Sequence, residues 1–470
     1  GMSQAAAIDL AVAQMRRPCT LAAITTALGF LSLIVADLQP VRELGVLAAL
    51  GLMISLAVNL TVAPLLLRWL RAPGLAVAAG LASDRRPGTR ALLGLAGTAM
   101  ARPWTVLVST ALIVAAVAAV LPWIRVASNP LSFLPSDSDT VAAYDMVGDS
   151  LGGFYTLELV LNLPEPWLVP EASATIEELG RRLEADPAVA RVLSPVDLLR
   201  QLNRWELGLA PGASTIPATE DQARRLVAAL DPEGARVLAG LATADGTRVR
   251  LAAVVREMDE GRLLDLAVTA RRLIAALPEG WTGRVTGMVL QLVSAQKALV
   301  RSQIESLGLA LVVVVLAIGI GLRSVRNAVL SVVPNVLPIL SVFGVMALAR
   351  IPLDAATAMV ASIALGIGVD DAVHLLEGLT RRGQEQAPAE ALRDTLIEVG
   401  PALVVTTVTA CIGFFALGAS AFVPIGHFGV LAGIALLVAL AADVVVVPAL
   451  ASVWSRNQAG GQGSGTKGAS

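Results

Sequence analysis

The chain has 470 residues, of which 56% are hydrophobic and only 15% charged, and its mean hydropathy is +0.73. A water-soluble domain carries about 25% charged residues, so much of this chain meets something other than water. The formal net charge of −2 argues against a nucleic-acid binder, and the two cysteines, Cys19 and Cys411, both within apolar runs, supply neither a disulfide framework nor a cysteine metal site.

Crossing the hydrocarbon of a bilayer takes about 20 apolar residues. Eight runs meet that length: Pro18–Ala36, Leu44–Leu67, Trp104–Trp123, Ile304–Leu322, Ala328–Ala349, Leu353–Leu375, Ala402–Ser420 and Phe428–Val453. Residues 1–70 hold the first two, 71–102 form a linker whose apolar patch Leu75–Leu81 is expected along the membrane surface, 103–123 hold the third, and 304–455 hold the last five. The tail, 456–470, is expected to be a disordered cytoplasmic segment.

Residues 124–303 are charged and of ordinary domain size. Phe154–Leu163 and Thr247–Arg256 alternate as strands, the first with Leu157, Leu159 and Leu161 on one face. Glu171–Ala185 and Glu260–Leu277 have helical periodicity. Ala190–Leu193 and Arg284–Val289 follow them as further strands, giving two strand–helix–strand units of a small α+β sandwich, joined through a loop at Pro211–Pro217.

Arginine supplies nearly all of the basic residues, and Ala and Leu dominate the apolar set, a composition that suggests a GC-rich bacterial genome. Arg16, Arg17, Arg68, Arg71, Arg323, Arg326, Arg381, Arg382 and Arg456 all fall on one side if each run crosses once, whereas the opposite short loops hold Arg42 and Arg350. The positive-inside rule then places both termini in the cytoplasm and 124–303 outside.

An internal repeat is visible. Gly29–Phe30 matches Gly413–Phe414, Pro40 matches Pro424, Gly45–Val46 matches Gly429–Val430, and Pro64 matches Pro448, always 384 apart (448 − 64). Thr25 maps onto Thr409, and Asn59 onto Asp443. Since the second copy is preceded by more spans and by the outer domain, the repeat implies a longer native chain with its own first set, or a partner that supplies it.

The sixth run contains Gly366-Ile367-Gly368-Val369-Asp370-Asp371-Ala372-Val373-His374. Two carboxyls and an imidazole at membrane depth are costly unless they face the bundle interior. The i, i+3 and i, i+4 spacings let both acids share a face with His374. Burial and a like-charged neighbour favour the neutral carboxyl, which is the chemistry of a proton relay. Solvation at the cytoplasmic end of the span is the bland alternative, closest for His374. Gly366 and Gly368 permit close helix approach, Thr406, Thr407 and Thr409 in the next span either hydrogen-bond the acids or bond their own i−4 carbonyls, and Asp443 reads as helix–helix glue ahead of proton work. Pro334, Asn335 and Pro338 interrupt the helical ladder of the fifth run, with Asn335 or neighbouring helices as partners for the freed carbonyls. Gly429 and Gly433 read as a packing pair. No catalytic, cofactor or metal residues are expected.

These segments resemble a known family. Ile351-Pro352-Leu353-Asp354 leading into the Gly366–His374 motif is similar to the tenth span of transporters of the resistance–nodulation–division (RND) superfamily, in their MMPL-like hydrophobe/amphiphile efflux branch. Val333-Pro334-Asn335-Val336-Leu337-Pro338 resembles the ninth span, Thr25–Phe30 the fifth, and Asn129–Gly153 the approach to the second periplasmic domain. The resemblance implies spans five to twelve, a ferredoxin-like porter domain at 124–303, and a relay of Asp370, Asp371, His374, Thr406 and Thr409. The family's fourth span, with its matching acids, and its first porter domain have no counterpart in this sequence.

The expected fold is thus a polytopic α-helical membrane protein of about eight spans with one extracytoplasmic α+β domain, in a bacterial inner membrane. The expected function is proton-driven export of lipids or other amphiphiles, as a homo-oligomer or with a partner. A sterol-sensing-like sensor or scaffold and a protein-export motor subunit are the alternatives. An enzyme is not expected, since the outer domain contains no histidine and no nucleophile–base set.

Overall fold

The computed structural model describes residues 4–37, 39–69, 87–125, 130–153, 155–210, 215–256 and 260–454. The Leu75–Leu81 patch, the first part of the Pro211–Pro217 loop and the 456–470 tail lie outside them. In chain order the elements are α1 (Gln4–Leu31), α2 (Gln39–Trp69), α3 (Pro87–Ala101), α4 (Pro103–Val120), α5 (Asp139–Leu151), β1 (Tyr155–Asn162), α6 (Pro170–Glu184), β2 (Val189–Leu193), α7 (Pro195–Glu206), α8 (Glu220–Ala228), α9 (Pro232–Ala239), β3 (Arg248–Val255), α10 (Glu260–Ala275) and β4 (Thr282–Thr286). Then follow α11 (Met288–Gly321), α12 (Val325–Ala349), α13 (Ala355–Arg382), α14 (Pro388–Leu417) and α15 (Val423–Ala441), the last continued by a π turn, Ala442–Val446.

Among the described residues eight helices are long and apolar enough to cross a membrane: α1, α2, α4 and α11 to α15, with their flanking turns. The protein is a multi-pass α-helical membrane protein with a small antiparallel α+β domain. Two compact units separate, Gly1–Ala127 with Ala298–Ser470, and Ser128–Lys297.

In the smaller unit the sheet order is β2-β3-β1-β4. β3 runs antiparallel to β1 and β2, and β4 antiparallel to β1, so β1 and β2 are parallel with β3 between them, the split βαβ of a ferredoxin-like unit. The expected leucine face is the core: Leu157, Leu159 and Leu161 are at most 1% exposed, and Ile176, Leu179 and Leu183 of α6 with Leu263 and Leu266 of α10 join them. β4 begins and ends earlier than the Arg284–Val289 expected for it. Gly287, at φ 122°, turns the chain there, and a Cβ on it would lie 2.8 Å from the Thr156 carbonyl oxygen, so Val289 enters α11 instead. Three helices between β2 and β3, α7 to α9, were not anticipated.

In the larger unit the internal repeat reappears as one contact made twice. A Cβ on Gly45 would meet the Phe30 carbonyl oxygen at 2.5 Å and the Leu33 Cβ at 2.9 Å, and a Cβ on Gly429 would meet the Phe414 oxygen at 2.3 Å and the Leu417 Cβ at 2.6 Å. Phe30 and Leu33 map onto Phe414 and Leu417 by the same 384 (414 − 30) as the glycines. Each hairpin, α1–α2 and α14–α15, thus closes on a glycine where only a hydrogen fits.

α13 sits at the centre of this unit, packed against α1, α12, α14 and α15. By contrast α2 and α4 present Leu47, Leu50, Ile54, Val108 and Leu112 outward, a surface matched to lipid tails. Within the 71–102 segment, α3 is a helix whose Leu92, Ala96 and Ala99 are buried, with Leu92 against Gly400 of α14.

Candidate functional site

Asp354 starts α13 by a reciprocal cap: its Oδ1 accepts the Thr357 N–H at 2.8 Å, and its own N–H donates to Thr357 Oγ1 at 2.8 Å. From this fixed start the apolar run leads to Asp370, which stays exposed, and to Asp371, which is partly buried. Gly366 and Gly368 set the approach of neighbours, as expected. A Cβ on Gly366 would lie 3.1 Å from the Phe30 ring of α1, and one on Gly368 would lie 3.2 Å from the Ala439 Cβ of α15. Thr26 of α1 adds a tether, its hydroxyl donating to the Gly366 carbonyl at 2.8 Å.

The two acids face different neighbours. Asp370 opens into a cavity of about 300 Å³ whose lining includes Cys19, Thr26, Ser55, Asn59 and His374. Its Oδ1 is 3.6 Å from His374 Nε2, and the side chains are 53% and 19% exposed, respectively. That separation exceeds a direct hydrogen bond and leaves the pair an electrostatic one. Asp371 turns instead to α14, where Thr407 Oγ1 donates to its Oδ2 at 3.1 Å. The expectation that both acids meet His374 is met only by Asp370 among the described ion pairs.

The threonine assignment also changes. Thr407 is buried in phase with Leu403 and Cys411, whereas Thr406 and Thr409 are exposed on other faces of α14. The Thr406 hydroxyl donates to the Ala402 and Leu403 carbonyls of its own helix. Helical phase explains this, because neighbours one or two positions from Thr407 point away from α13.

In α12 the two prolines do not interrupt the helix, which runs unbroken from Val325 to Ala349 with Pro334, Asn335 and Pro338 buried. Asn335 Nδ2 donates to Ser331 O at 2.8 Å. The carbonyls that the prolines leave free belong to Leu330 and Pro334, so Asn335 bonds neither of them.

Asp443 is more exceptional than its sequence suggests. It is 1% exposed, neither carboxylate oxygen has a hydrogen-bond partner among the described residues, and it lies within electrostatic reach of Asp371. Charge without donors is costly at such a place. It sits on the π turn, where the Val447 N–H reaches back to the Ala442 carbonyl. The cause is local: Pro448 has no N–H to donate to Val444, and the valine run before it resists tight helical packing. Such single π turns recur at functional sites. Its repeat mate, Asn59, lines the Asp370 cavity. Among the described residues no three His, Cys, Asp or Glu side chains have a metal-binding arrangement.

The MMPL family profile matches residues 1–73 and 133–463. The chain belongs to the MMPL family. MJ1562 of Methanocaldococcus jannaschii, described as a membrane protein, is 24% identical over 344 residues, 69% of this chain and 84% of that protein. Two solved structures share the fold. One is the hedgehog release protein Disp from the water bear Hypsibius dujardini, with TM-score 0.60 and 12% identity over 94% of this chain. The other is SecDF in its super-membrane-facing form, with TM-score 0.51 and 15% identity over 95% of this chain. The chain spans 59% and 49% of those two structures, respectively.

Proposed function

We propose that this MMPL-family chain forms part of a proton-driven exporter of lipids or other amphiphiles, and that it is a transporter, not an enzyme. The observation that carries this reading is the placement of two adjacent carboxyls on the central helix α13. One faces a cavity with His374, and the other is bonded to Thr407 with Asp443 behind it. Proton uptake at Asp370 and Asp371 removes charge from the interior, which lets α13 shift against α1 and α15 across Gly366 and Gly368. In this reading both termini are in the cytoplasm of a bacterial inner membrane, residues 124–303 lie outside it, and the working assembly is a homo-oligomer or includes a partner.

The test is Asp370→Asn in proteoliposomes carrying an imposed pH gradient, with fluorescent phospholipid transfer as the readout. Transfer is expected to fall to the level of protein-free vesicles while membrane abundance stays at that of the unmodified chain. Undiminished transfer rejects the relay. A second reading, release of protein cargo, is supported by the likeness to the hedgehog release protein. It predicts no lipid transfer by the unmodified chain.

A further inference from the structure

At the first turn of α12 a second cavity, of about 230 Å³, opens between α12, α13, α14 and the segment after α15. Arg326, Asn327, Thr380 and Gln384 give it polar walls, and Leu376 and Leu392 contribute apolar ones. Its described lining contains no carboxylate. Arg326 is its one charged described residue, and the Arg326 Nε is buried with no hydrogen-bond partner among the described residues. The arginines at the end of α13 are in a different situation, since Arg381 and Arg382 both bond to Glu398. No ion pair among the described residues involves Arg326. The wall itself is tied, because Asn327 Nδ2 donates to Thr380 Oγ1 at 2.6 Å and so holds α12 to α13.

A half-buried guanidinium without a counter-charge is an incomplete pair. We propose that this cavity binds a phosphate group presented by the headgroup of an anionic phospholipid. The guanidinium fork donates to two phosphate oxygens at once, and the positive end of α12 adds to the attraction. The leucine wall takes the glycerol and first methylenes, a surface that free inorganic phosphate would leave unused. Basic pockets between spans on the arginine-rich side of a membrane are suited to such headgroups. α13 forms part of this wall from Leu376 onward and also carries Asp370 and Asp371 about two turns earlier, so the headgroup bears on the same helix as the acids.

The experiment uses the full native chain, delipidated in detergent, and measures binding of dioctanoyl phosphatidylglycerol, dioctanoylglycerol and inorganic phosphate separately. Phosphatidylglycerol is expected to bind the unmodified protein, and Arg326→Gln to weaken it by at least about tenfold, the scale of a lost charge-assisted bond. Dioctanoylglycerol binding should be equal in the two proteins. Equal phosphatidylglycerol affinity in the two proteins overturns the site. Inorganic phosphate binding as tightly as the lipid overturns the lipid assignment. If Arg326→Gln does not fold, Arg326→Lys keeps the charge without the fork, and a severalfold loss is expected there. Unchanged lipid affinity in Arg326→Lys overturns the bidentate contact.

Discussion

Successive residues on an α-helix point about 100° apart, so Asp370 and Asp371 meet separate polar environments although they are neighbours in sequence. Asp370 has a cavity and an imidazole, and Asp371 has one hydroxyl, that of Thr407. Removing this hydroxyl while keeping its shape isolates what the bond does. Thr407→Val is expected to slow proton-coupled transfer by about tenfold, the size of a hydrogen bond to a charged group. Thr406→Val is expected to leave the rate unchanged, since the Thr406 hydroxyl serves only its own helix. Initial rates in proteoliposomes at matched protein content check both, and equal effects would place the relay threonine elsewhere. The acids themselves were legible as charges inside an apolar run. Choosing among Thr406, Thr407 and Thr409 was not possible from spacing, because the phase of α14 against α13 is a tertiary property. The isolation of Asp443 was not legible in the sequence for a related reason. Its isolation from every donor depends on neighbours from other helices.

At the scale of elements, a glycine that closes a helix hairpin is a stronger constraint than a glycine that happens to lie in one. The Cβ of Gly429→Ala would fall 2.3 Å from a backbone oxygen, which cannot move without moving its helix, whereas Gly413 has nothing within 4 Å. Gly429→Ala, and Gly45→Ala in the first hairpin, are each expected to destabilise the protein by about 1–3 kcal/mol, the usual cost of overpacking. Gly413→Ala should be neutral. Thermal unfolding in detergent separates the three, and a neutral Gly45→Ala would remove the structural equivalence of the hairpins. The spans and the four strands could be read from periodicity, because a 2-residue or 3.6-residue pattern survives without knowledge of partners. The helices α7 to α9 were missed although each carries a written start signal. Ser194 with Asp197 forms a capping box, and Thr219 and Asp231 cap the next two helices. Those signals lie between apolar stretches too short to stand out. α3 was hidden differently, by glycines and arginines that made 71–102 look like a linker.

For the whole molecule, the relay has a direction only if the two sides of the membrane are known. If each of the eight helices crosses once, the arginine-rich ends of the spans, including Arg68, Arg323, Arg381 and Arg382, share one side, and translocation of such loops is disfavoured. In the proposed orientation residues 128–297, which follow the third span in sequence, emerge on the opposite side. This assignment is tested by single cysteines in a chain whose Cys19 and Cys411 have been replaced by serine and alanine. Gln201→Cys on α7 and Glu385→Cys between α13 and α14 are both at exposed positions. A membrane-impermeant maleimide applied to intact cells is expected to label Gln201→Cys fully and to leave Glu385→Cys unlabelled until the membrane is permeabilised. The reverse pattern would put the arginine-rich loops outside and invert the proposed orientation. Labelling of both positions in intact cells would mean that the chain does not hold a single orientation, and an imposed gradient could not drive net export through it.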